Sequence, residues 1–119
     1  VFTSDRNEGW GASLNEAMSS GCACVVSDAI GSSHFLINNE VNGLLFKNKR
    51  LSSLQLQIQR LLDDDMLRKK ISFNGYYTIL NEWRPEIAAQ RLINLIYNLM
   101  RGHDVDFETG PCSKAYPVK

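Results

Sequence analysis

Clustered charge of one sign, long apolar runs and paired cysteines are all missing from this sequence. Lys and Arg number 13 and Asp and Glu number 13, so the formal net charge is zero. That balance argues against a nucleic-acid partner, because affinity for a phosphate backbone comes from clustered Lys and Arg. No apolar stretch approaches the roughly 20 residues that span a bilayer, and no signal peptide opens the chain. Three cysteines, Cys22, Cys24 and Cys112, cannot build a disulfide framework, which points to a reducing compartment. Apolar residues make up 44% of the 119 positions, as in a folded protein and unlike a disordered one. The expectation is a soluble, cytoplasmic globular chain, either one small domain or part of a larger one. The chain opens as Val1-Phe2-Thr3-Ser4 without a Met, already inside what reads as a buried strand. This predicts that an N-terminal part of the same chain precedes it.

Val1 to Ser4 reads as a strand closed by the polar loop Asp5-Arg6-Asn7-Glu8. After Gly9-Trp10-Gly11, Leu14, Ala17 and Met18 fall on one face of a helix over 12–20. Gly21 stands where a helix end favours a left-handed residue. Ala23 to Ser27 is apolar and β-branched, as suits a strand covered on both faces. Strand, helix and strand make one βαβ unit with a right-handed crossover. A helical turn is expected around His34 to Asn38, and a third strand over Gly43 to Phe46. Leu54, Ile58, Leu61 and Leu62 mark an amphipathic helix, capped by Ser52 or Ser53. Leu67, Ile71, Ile79 and Trp83 suggest another, weakened by Gly75. Pro85 starts a third, with Ala88, Leu92, Leu95, Ile96 and Leu99 inward as core. Beyond Gly102 the periodicity ends. The fold class is α/β, a partial doubly wound, Rossmann-like parallel sheet whose remaining strands lie upstream.

The chemistry concentrates between Asn7 and Glu16. Glycines between a strand end and a helix start let a ligand approach backbone N–H groups, and the helix dipole favours an anion such as a diphosphate. Glu8 and Glu16 bracket that loop, and a carboxylate accepts paired hydrogen bonds from vicinal hydroxyls. A plainer reading stands beside this one. Ser13-x-x-Glu16 fits a capping box, and local pattern alone favours the cap over the ligand. Glu8 taken singly reads as a solvated loop carboxylate. Cys22 and Cys24 read as small buried strand residues rather than metal ligands. Lys47, Lys49 and Arg50 read as a solvated turn, with an anionic membrane surface as the other option.

Glu8-Gly9-Trp10-Gly11 followed by Glu16-Ala17-Met18-Ser19-Ser20-Gly21, then Val25-Val26-Ser27-Asp28, Gly31 and Asn42-Gly43-Leu44-Leu45-Phe46, resembles retaining glycosyltransferases of the GT-B fold. The family resembled is glycosyltransferase family 4, the group 1 glycosyl transferases, over roughly residues 1 to 101. The resemblance implies that residues 1–102 are part of a C-terminal nucleotide-sugar-binding domain, with 103–119 a polar tail. It implies an enzyme moving a sugar from a nucleotide-diphosphate donor to a saccharide or lipid-linked acceptor with retention, needing no metal or other cofactor. Glu8 would be catalytic, holding donor-sugar hydroxyls; Gly9, Trp10, Gly11, Ala12 and Ser13 would meet the sugar and diphosphate; Glu16 would bind the ribose, whether or not it also caps. Location would be cytoplasmic, with peripheral contact at the inner membrane face as a further expectation. The alternatives are a non-catalytic nucleotide-sugar-binding or scaffolding module, and an epimerase or phosphorylase on the same fold. This chain departs from the family pattern at Ala23, where many members have Pro, and at Phe35, where many have Glu.

Overall fold

The computed structural model describes residues 1–105 and 107–115. They form two compact units, residues 1–79 and the described part of 80–119.

In the first unit, Val25–Ser27 (β1) and Leu44–Phe46 (β2) pair in parallel, Val25 opposite Leu44 and Ser27 opposite Phe46. All three β1 residues are buried, which is why that segment is apolar rather than alternating. The expected strand over Val1 to Ser4 contracts to a single parallel bridge between Phe2 and Val26. Phe2 N–H donates to Val25 O at 2.8 Å and Ser27 N–H to Phe2 O at 2.9 Å. Beyond that pair β1 ends, so Thr3 and Ser4 have no neighbour to extend the ladder and lie exposed.

Ala12–Ser19 (α1) buries Leu14 and Met18, four residues apart on one face. It ends at Gly21, whose φ of 72° is left-handed. Gly21 N–H then reaches Met18 O, and Cys22 N–H reaches Ala17 O, both at 3.0 Å, closing the last carbonyls of the helix. The expected turn near His34 is the short helix Ser33–Leu36 (α2). Leu51–Asp63 (α3) packs on the sheet, joining Val25, Leu44, Phe46, Leu61 and Ile71 in one apolar cluster. Its N-cap is Arg50, not Ser52 or Ser53, which both lie inside the helix. Ser53 Oγ instead accepts a hydrogen bond from Lys47 N–H at 3.1 Å.

Asp65–Glu82 (α4) runs unbroken through Gly75. A Cβ there would sit 3.2 Å from Asn42 O, so glycine's lower helix propensity is offset by close approach to that loop. Asn42 is buried and fully engaged: its Oδ1 accepts from Asn38 N–H at 2.8 Å, and its Nδ2 donates to Leu36 O and Thr78 Oγ1, both at 2.9 Å. A buried amide bonded on both ends specifies the loop rather than destabilising it.

In the second unit Pro85–Leu99 (α5) begins with Pro at its first turn, as expected. The expected inward stripe is not inward. No α5 residue is buried, and Leu92, Ile96 and Leu99 are 50%, 49% and 54% exposed. The periodic face is real, but among the described residues of this unit nothing covers it. Residues 107–111 fold instead onto Arg91, which hydrogen-bonds Thr109 O and Pro111 O and lies over the Phe107 ring. Among the described residues no helix is long and apolar enough to cross a membrane.

Candidate functional site

The loop from Asp5 to Gly11 leaves the carboxyl side of the Phe2 bridge, and residues 28–32 leave β1 beside it. Asp5 shapes the first loop: its carboxylate accepts from Asn7 N–H at 2.9 Å and its carbonyl from Glu8 N–H at 3.1 Å, a local Asx-type turn. The two loops meet where Ser32 N–H donates to Trp10 O at 3.2 Å. Gly31 is required there, because a Cβ on it would strike the Gly9 carbonyl.

Gly11 is the N-cap of α1, with φ 75° and ψ 60° and no side-chain cap. A Cβ at Gly11 would lie 3.2 Å from Ile30 Cγ2, 3.4 Å from Glu8 Cγ and 3.7 Å from Ser32 Oγ, so both backbone angle and space select glycine. Ser13 is therefore the second residue of α1 and not its cap, and the capping-box reading of Ser13 and Glu16 does not hold. Ala12 and Ser13 are exposed in the first turn, whose N–H groups have no carbonyl within the helix to meet. No acidic residue occupies that turn, so its partial positive charge has no compensating side chain. Beside Gly9 a Cβ would meet nothing within 4 Å; space is open there.

Glu8 and Glu16 are both exposed. Among the described residues neither carboxylate makes a hydrogen bond or ion pair. The loop pair thus brings Glu8 and Ser32 each close to Gly11, while Glu16 stands on the outer face of α1, away from the buried Leu14 and Met18. Trp10 is anchored by its indole N–H to Asn15 Oδ1 at 2.8 Å, and its ring lies 5.6 Å from that of Phe35. Ser32 is wholly buried and, among the described residues, its hydroxyl has no hydrogen-bond partner, an arrangement that costs about 1–3 kcal/mol where it persists.

Sequence reasoning missed Asn15, Ser32 and Asp28. Asp28 follows β1 and ties it to the end of β2: Asn48 N–H and Lys47 Nζ each reach its carboxylate at 2.9 Å. Burial works against the charge, but these two donors outweigh it and hold the Asp28 carboxyl below its ordinary range. An acidic residue closing one parallel strand and a Lys-Asn pair closing the next was the available signal. Lys47 is therefore paired, not simply a member of a solvated basic turn. Cys24 is buried as expected, and burial pushes its thiol up to about 11. Cys22 is exposed and precedes β1, contrary to its reading as a buried strand residue; the strand starts three positions later. Among the described residues no three His, Cys, Asp or Glu side chains cluster as a metal site would need.

Two cavities flank α3. One of about 490 Å³ includes Val1, Cys22, Ile58 and Leu62, and one of about 410 Å³ includes Thr3, Asp5, Lys49 and Arg50. Neither includes Glu8 or Glu16, which stand on open surface at the carboxyl end of the sheet. Ligands of open α/β sheets bind on that side.

Parallel strands with a glycine-capped helix at their carboxyl ends define a Rossmann-like α/β unit. Comparison with known proteins makes this specific. The family model described as glycosyl transferases group 1 matches residues 1–78, and the chain belongs to that family. It is 36% identical over 88 residues to an N,N'-diacetylbacillosaminyl-diphospho-undecaprenol alpha-1,3-N-acetylgalactosaminyltransferase of Campylobacter jejuni. That match takes in 74% of this chain and 23% of the relative, so the chain spans about a quarter of its length. Among solved structures, the C-terminal domain of the glycosyl transferase group 1 family protein LpcC from Francisella tularensis superposes with a TM-score of 0.61 and 32% identity. This covers 66% of this chain and 40% of that one. Sucrose-phosphate synthase from Thermosynechococcus elongatus gives a TM-score of 0.67 at 27% identity, covering 78% of this chain and 23% of that one. The α/β fold class is thus that of GT-B C-terminal domains.

Proposed function

We propose that the chain carries the donor half of a retaining glycosyltransferase that uses a nucleotide-diphosphate sugar. The observation that carries this reading is the left-handed Gly11 cap, which leaves the α1 N-terminus without a side-chain cap between two exposed, unbonded carboxylates. The donor diphosphate lies against the first-turn N–H groups of Gly11, Ala12 and Ser13, where the helix dipole favours negative charge. Glu16 accepts hydrogen bonds from the ribose hydroxyls. Glu8 faces the donor sugar, where positive charge develops as the bond to phosphate breaks, and stabilises that charge more than the neutral ground state. No metal or organic cofactor enters this scheme.

The acceptor is a saccharide or a lipid-linked saccharide. The name of the Campylobacter jejuni relative, which carries an undecaprenol diphosphate, favours the lipid-linked class. With such an acceptor the reaction takes place at a membrane surface, and this reading assigns it to the inner face, on the cytoplasmic side.

Glu16→Gln in the intact enzyme tests the donor assignment. A charged acceptor facing two hydroxyls contributes about 1.5–3 kcal/mol, so calorimetric affinity for the nucleotide sugar should fall roughly ten- to a hundredfold. The melting temperature should hold, since Glu16 is exposed and caps nothing. Unchanged affinity would remove Glu16 from the site.

A further inference from the structure

Trp10 and Phe35 present two aromatic rings in contact, 39% and 37% exposed, with centroids 5.6 Å apart and planes tilted by 37°. A single exposed aromatic residue needs no explanation. These two differ because both are held by the loop pair that forms the candidate site. The Trp10 indole N–H is fixed by Asn15 Oδ1, and its carbonyl accepts from Ser32 N–H, at the start of the helix that carries Phe35. Gly31 permits the contact between the loops. Trp10 lies between Glu8 and the α1 N-terminus in sequence. The result is a pre-positioned aromatic surface on the same loop as the exposed Glu8.

We infer that Trp10 and Phe35 form a shelf for the C–H face of a pyranose ring, with Phe35 a specificity-determining residue of the transfer reaction; this rests on the donor-site reading above. A pyranose carries C–H bonds, polarised by neighbouring oxygens, on its ring faces, and hydroxyls around its rim. The negative face of an aromatic ring attracts the former, and the carboxylate of Glu8 accepts hydrogen bonds from the latter. A nucleobase also stacks on aromatic rings. Its edge mixes donors with acceptors, however, and a carboxylate satisfies only the donors. The ring seated on the shelf belongs to the donor sugar or to the acceptor saccharide, which share this chemistry.

The test uses the intact transferase with Phe35→Leu, which keeps apolar bulk and removes the ring, and Phe35→Tyr, which keeps the ring. Three nucleotide pairs serve as calorimetric probes: UDP-N-acetylgalactosamine with UDP, GDP-mannose with GDP, and ADP-glucose with ADP. The pair that binds wild type most tightly is carried forward, and methyl N-acetylgalactosaminide is titrated into the nucleoside diphosphate complex. Phe35→Leu should weaken either the nucleotide sugar or the methyl glycoside about three- to tenfold. Phe35→Tyr should restore binding, and affinity for the sugar-free nucleoside diphosphate should not change. Weakening of the nucleotide sugar assigns the shelf to the donor, and weakening of the glycoside assigns it to the acceptor. Equal weakening of the sugar-free nucleoside diphosphate would make the occupant a base and overturn the proposal. Unchanged binding of both sugar probes would also overturn it, while leaving the donor reading intact. Failure of wild type to bind any of the three pairs would overturn the donor reading and the shelf together.

Discussion

Helices α1 and α5 are both amphipathic in sequence, and their fates differ. In α1, Leu14 and Met18 are wholly buried within residues 1–79. In α5, Leu92, Ile96 and Leu99 also follow helical spacing, yet about half of each remains exposed. Periodicity identifies which side of a helix is apolar; it does not say whether another element arrives to cover it. The same contrast divides the two faces of α1 itself. Its inner face holds the fold together, while its outer face and N-terminus are left to solvent and carry the candidate site.

The largest effect expected from this contrast is on stability. Leu14→Ala removes a fully buried side chain and should destabilise the intact enzyme by about 2–5 kcal/mol, read from denaturant unfolding. Leu92→Ala should stay within about 0.5 kcal/mol, as exposed substitutions do. A loss near that of Leu14→Ala at Leu92 would break the comparison and show that the α5 face is covered in solution.

A smaller effect belongs to Asp28, which braces the ends of β1 and β2. Its carboxyl is held below its ordinary value of 3.8, so the brace contributes above the unfolded-state pKa. That contribution disappears as pH falls from about 4 through the lower folded value. Asp28→Asn should therefore cost less than about 1 kcal/mol at neutral pH, since Lys47 is largely exposed. The gap between wild type and variant melting temperatures should close in acid. A gap that persists once the carboxyl is fully protonated in both states would assign the effect to packing.

Much of this was legible in the residues. Unbroken apolar runs marked β1 and β2, Pro85 marked the start of α5, and Gly21 marked the end of α1. Glu8, Glu16 and the glycines between them marked the loop that is proposed as the site. Other features depend on contacts across the chain that no local pattern reports. The capping box at Ser13 failed because Gly11, packed against Ile30 and Ser32, begins the helix earlier. The strand at Val1 shrank to one bridge because only Phe2 finds a partner on β1. Gly75 weakens a helix in isolation, yet here it admits the Asn42 loop. The anchoring of Trp10 by Asn15, and its contact with Phe35, join residues whose sequence spacing carries no signal.

The central claim is that the exposed Glu8, and not the buried framework beneath it, drives the chemistry. The most direct measurement is single-turnover sugar transfer by Glu8→Gln in the intact enzyme at saturating donor, alongside calorimetric donor binding and melting temperature. Loss of one preorganised electrostatic group of this kind costs on the order of a hundred- to a thousandfold in rate. That loss is expected here, with donor affinity much less affected and stability within about 0.5 kcal/mol, because Glu8 is exposed and unbonded. A rate close to wild type would contradict the account and leave a nucleotide-sugar-binding module in its place.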